Sequence, residues 1–87
     1  MNVQPIINEV LQASGVTDPA TQKLIADVTT DSAALGLRSL AGEDVDHELK
    51  HVAAQSLNLE VFVRRMIESQ LAMRVTSVLA KALVTVA

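Results

Sequence analysis

The run VDHELKHVAAQSLNLEVFVRRMIESQLAMRVTSVLAKALVTVA, residues 45–87, decides the fold class, because it holds neither glycine nor proline and is helical in period throughout. Val45, Leu49, Val52, Ser56, Leu59, Val63 and Met66 succeed one another in steps of four and three, a heptad-like seam along one side of a helix. A second stripe of Ile67, Leu71, Val75, Val78, Ala82 and Val86 follows, while Phe62, Met73, Ala80 and Val84 keep the first side apolar. At about 100° per residue the stripes lie well over a right angle apart, so the segment is apolar on two faces. Such a helix is covered on both sides. The two shorter helices that precede it can cover one face, and a second copy of the chain is the expected cover of the other. The expected interaction surface is Leu59, Phe62, Val63, Met66, Ile67, Leu71, Val75, Val78, Ala82 and Val86. Nothing in the local chemistry forces this helix to end before the C-terminus, and a frayed break near Ser56-Leu57-Asn58 is the alternative to a continuous helix.

Toward the N-terminus, Val3, Ile6, Ile7, Val10 and Leu11 lie on one helical face, with Pro5 acceptable in the first turn. Gly15 stands where that helix stops. Thr17-Asp18-Pro19 is a start signal: Asp18 can accept from free amides, and Pro19 in the first turn has no amide to leave unpaired. Leu24, Ile25, Val28 and Leu35 give the second helix its apolar side. Gly36 weakens it, and Leu37 and Leu40 leave that side. Gly42 followed by Glu43-Asp44 marks a stop and a new start. The expected organisation is one all-α domain over 1–87, with helices at about 3–14, 19–41 and 44–87. It is a small bundle of two short or medium helices and one long C-terminal helix, completed by oligomerisation.

Composition agrees with shared surface. The chain has 87 residues, 49% of them apolar, but Phe62 is its single aromatic and cysteine is absent. A mean hydropathy of +0.32 excludes a disordered tail. A chain this short buries a smaller share of its surface than a long one, and no disulfide framework is available to staple it. Sharing surface with another chain is the remaining means of stabilisation.

A membrane span needs about 18 or more residues with few charges, and the longest run free of Asp, Glu, Lys and Arg is only His51 to Leu59. No basic region precedes an apolar run near Met1, so no secretory signal is expected and the cytoplasm, or the inside of a larger particle, is the expected location. Residues 1–49 carry eight acids and two bases, or −6, and residues 50–87 five bases and two acids, or +3, which sum to the net charge of −3. That division suits antiparallel packing of the halves, or head-to-tail contact between copies. Nucleic acid is not an expected partner, because the bases are scattered, no aromatics interleave them, and the isoelectric point is near 5.1.

His47-Glu48-Leu49-Lys50-His51 matches H-E-x-x-H, in which two histidines on one helical face hold Zn²⁺ and the glutamate serves as general base. Its context is missing. The longer zinc-protease motif requires a glycine and a third histidine where this chain has Ala54 and Leu57, Asp46 and Lys50 charge a segment such enzymes bury, and the chain is too short for a cleft. Glu48-x-x-His51 also has the spacing of di-iron helix bundles, and Asp44-x-x-His47 repeats it one turn earlier. Glu9, Asp27 and Asp31 could then supply further carboxylates. A carboxylate and histidine metal site at Asp44, His47, Glu48 and His51, for zinc or di-iron, is therefore the alternative to a plain solvated acidic helix start, which the positive helix end favours.

No nucleophile elbow, phosphate loop or dinucleotide glycine pattern occurs. Leu71 to Ala87, with Arg74 and Lys81 on one side, also has the form of an interfacial helix, though without the usual aromatics and basic density. The expectation is a non-enzymatic self-association or scaffolding protein with no cofactor, whose partner is itself. A small assembly subunit, as in a phage particle or protein cage, is a setting such a chain suits in general, and no residue specifies it.

Overall fold

The computed structural model describes residues 2–74. Four helices run in the order α1, Gln4–Ser14; α2, Pro19–Leu40; α3, Asp46–Ser56; and α4, Val61–Arg74. No strand occurs among the described residues.

The helix boundaries follow local chemistry. The Gln4 amide donates to Asn2 Oδ1 at 3.0 Å, which helps to seat the start of α1, and Pro5 lies in its first turn. At its end Gly15 turns left-handed at φ 67° and donates its amide to the Leu11 carbonyl. A side chain at that φ is strained, so glycine is the suitable residue. Asp18 then caps α2, accepting from the Thr21 amide at 3.0 Å and from the Thr21 hydroxyl at 2.7 Å. Gly36 does not interrupt α2, which runs on to Leu40. Its stripe does turn away: Leu35 is buried, whereas Leu37 and Leu40 are exposed. Gly42, at φ 88°, closes the helix, and Asp44 Oδ1 accepts from the Asp46 amide as the chain enters α3.

The expected continuous helix from residue 44 to the C-terminus is not observed over the described residues. α3 ends at Ser56, residues 57–60 form a tight corner, and α4 begins at Val61. At the corner the amides of Leu57, Asn58 and Leu59 donate to carbonyls three residues back, those of Ala54, Gln55 and Ser56. Ser56 Oγ donates to the Ala53 carbonyl at 2.7 Å. One straight helix over residues 46–74 would extend about 43 Å, against about 33 Å for the 22 residues of α2 and about 16 Å for the 11 of α1. Neither preceding helix could cover it. Bent in two, the segment lays α3 on α2 and α4 chiefly on α1, with α1 also against α2.

The core draws on every helix: Ile6 and Val10 from α1, Ile25, Val28, Ala33 and Leu35 from α2, Val52 from α3, and Val63, Ile67 and Leu71 from α4, with Val45 and Leu59 from the corners. It is aliphatic throughout. Thr29, buried on α2, satisfies its hydroxyl by donating to the Ile25 carbonyl at 2.7 Å.

Candidate functional site

Helices α2 and α3 are joined by a short connection and run antiparallel, leaving a groove of about 450 Å³ between them. Leu35, Val52 and Ala34 line it with apolar surface, and Asp31, Arg38, His47, Glu48 and His51 supply its polar groups. Apolar lining with a few convergent polar groups is the usual form of a small-ligand site. Arg38 closes one end, with Nε 3.3 Å from Glu43 Oε1 and Nη2 3.6 Å from Glu48 Oε1.

Of the four residues expected to bind metal, His47 and His51 stand exposed at the groove, one turn apart on α3. Glu48 lines it too, with its carboxylate oxygen Oε1 3.6 Å from Arg38 Nη2. Asp44 precedes α3 and spends a carboxylate oxygen on the Asp46 amide. Among the supplementary carboxylates only Asp31 reaches the groove. Asp27 pairs with Lys23 at 2.9 Å on α2, and Glu9 pairs with Arg74 across the bundle. Among the described residues no three His, Cys, Asp or Glu side chains converge closely enough to hold a metal ion.

The expected interaction surface divides. Leu59 and Val63 of the first seam and Ile67 and Leu71 of the second stripe are buried in the chain's own core, so these four do not face a second copy. The corner at 57–60 redirects α4, and Ile67 and Leu71 of the second stripe join Val63 of the first in the same core. Met66 is half-buried beside Glu9, Val10 and Ala13 of α1. Phe62 is 48% exposed. Val75, Val78, Ala82 and Val86 lie outside the described residues.

Two neighbours of Phe62, absent from the sequence-based surface, enlarge the exposed patch: Leu57 is 56% and Val61 44% exposed. Their signal was available, since both lie off the seam of Val45, Leu49, Val52, Ser56 and Leu59. Beside them a cleft of about 310 Å³ opens between the Ser14-Gly15-Val16 turn and residues 58–63, with Phe62 on its wall. Met73, eleven residues beyond Phe62 and on the same helical face, is 75% exposed.

Electrostatic shifts lie elsewhere. The Thr21 hydroxyl and amide hold the Asp18 carboxyl below its ordinary pKa. The Asp27 carboxylate raises Lys23. No helix among the described residues is long and apolar enough to cross a membrane. Compared with protein-family models, curated proteins and solved structures, the chain matches none.

Proposed function

We propose that this protein is a non-enzymatic helical self-association module, a scaffolding or assembly subunit whose partner is a second copy of the chain. One observation carries this reading: Phe62, the sole aromatic, is half-exposed next to exposed Val61, while the apolar core among the described residues is aliphatic. Aromatic side chains bring the largest apolar area per residue, and a small domain short of core gains most by burying them. At a protein interface such a residue is a typical anchor. The cleft on which Phe62 stands also has Val16, Leu59 and Val63 in its walls, apolar surface that a partner's side chain would meet. Leu37 and Leu40 expose a second apolar spot at the end of α2. Because α2 and α3 are antiparallel, that spot lies at the opposite end of the pair from Leu57. Two apolar ends and unlike charge on the two halves favour contact between copies over contact with solvent.

The test is mass in solution. Light scattering on the full chain at micromolar concentration is expected to give a multiple of 9.3 kDa. The double variant Leu57→Asp, Phe62→Asp is expected to fall to the monomer mass with its helical circular dichroism retained. A wild-type chain that stays monomeric at that concentration ends the proposal.

A further inference from the structure

We propose that His47 and His51 form a two-imidazole site for one divalent transition-metal ion of the Zn²⁺ or Cu²⁺ class at the α2/α3 groove. Residues four apart on a helix lie about 5–6 Å apart at Cβ, a span that one ion with M–N bonds of about 2.0–2.1 Å can bridge. Both histidines are on α3 and both line the groove, so the helix presents the two rings to one space. Neither belongs to the core, and both are exposed to solvent. The groove's ion pairs run between Arg38, Glu43 and Glu48, and among the described residues they leave the two rings free.

Charge favours a cation. Asp31 and Glu48 contribute two negative charges to the groove and Arg38 one positive, a net of −1 with the imidazoles neutral. Neutral imidazole is a good ligand for zinc, copper or nickel and a poor one for magnesium or calcium, which take oxygen. No third protein ligand converges among the described residues, so water fills the open positions. Asp31, across the groove on α2, would steady such a water and couple the ion to both helices. Glu48 is engaged by Arg38 at 3.6 Å, so Asp31 is the groove carboxylate left to hold that water. The site binds and clamps, and it does not depend on whether the chain self-associates.

Calorimetric titration of the full chain with Zn²⁺ alone is expected to show saturable binding, with thermal unfolding moved to higher temperature by excess Zn²⁺. His47→Ala and His51→Ala should each weaken binding by at least about tenfold, and the double variant should abolish it. Asp31→Asn should weaken it by less, and Mg²⁺ should neither bind nor compete. All of these positions are exposed, so the variants are expected to keep their helical content, which circular dichroism checks. Binding that survives in the double histidine variant, yields to Mg²⁺, or never saturates overturns the assignment.

Discussion

Arg74 Nη2 donates a 2.6 Å hydrogen bond to Glu9 Oε1, tying the last described turn of α4 to α1 across 65 positions of sequence. It joins the acidic first half of the chain to the basic second half. Both side chains keep more than a third of their surface in solvent. Their mutual stabilisation is therefore modest, about 0.2–1 kcal/mol. A double-mutant cycle of Glu9→Gln and Arg74→Gln in urea should return a coupling in that range, and molar salt should shrink it. A coupling above about 2 kcal/mol would mean that the pair is shielded far better than its exposure indicates.

Arg64 presents the opposite situation. It is 8% exposed, and neither Nε nor Nη1 has a hydrogen-bond partner among the described residues. Buried guanidinium nitrogens lacking acceptors are costly, and an apolar side chain of similar length removes the cost while retaining the packing. Arg64→Met is expected to be neutral or to stabilise by about 1–3 kcal/mol in denaturant titrations. Destabilisation by more than about 1 kcal/mol would show that the guanidinium is paired in solution.

Ile67 and Phe62, five residues apart on α4, should respond in opposite ways to truncation. Ile67 has no exposed surface, and Ile67→Ala is expected to lower stability by about 2–5 kcal/mol. Phe62→Ala, at a half-exposed site, should change the stability of the isolated chain by about 0.5 kcal/mol or little more. It should, however, weaken association. Measuring both variants by urea unfolding at submicromolar concentration separates the core from the contact surface.

Asp18 sets an acid dependence. Its folded pKa is lowered, chiefly by the Thr21 hydroxyl and then by the Thr21 amide, so the cap stabilises the fold above the unfolded carboxylate pKa. That contribution is lost as pH falls through the lowered folded value. Asp18→Ala should lower the melting temperature at pH 7, and the difference from wild type should narrow below about pH 4. Asp18→Asn, which keeps an acceptor but cannot ionise, should remove the narrowing while retaining most of the cap. An unchanged gap between wild type and Asp18→Ala from pH 7 to pH 2 would refute this assignment.

The candidate site was legible in part. The pairing of His47 with His51 follows from four-residue spacing alone, whereas Phe62, read as keeping the seam side apolar, is half-exposed. The partners were not legible. That Glu48 would be taken by Arg38, that Asp31 would face the histidines, and that Glu9 would be drawn to Arg74 depend on how α2 and α4 lie against their neighbours.

What the amino-acid order determined by itself is the all-helical character and most of the helix ends, because these rest on interactions within a few residues. The Asp18 cap, the left-handed Gly15 and the stop at Gly42 each lie within two residues of where the local chemistry sets them. What only the tertiary structure decided is the corner at 57–60 and, with it, the fate of the two apolar stripes. Periodicity says that Val63, Ile67 and Leu71 need cover, but not whose surface provides it. The chain bends after Ser56 and brings Val63, Ile67 and Leu71 into one core with residues of α1 and α2. Leu57, Val61 and Phe62, at or beside the bend, are among the large apolar residues left exposed.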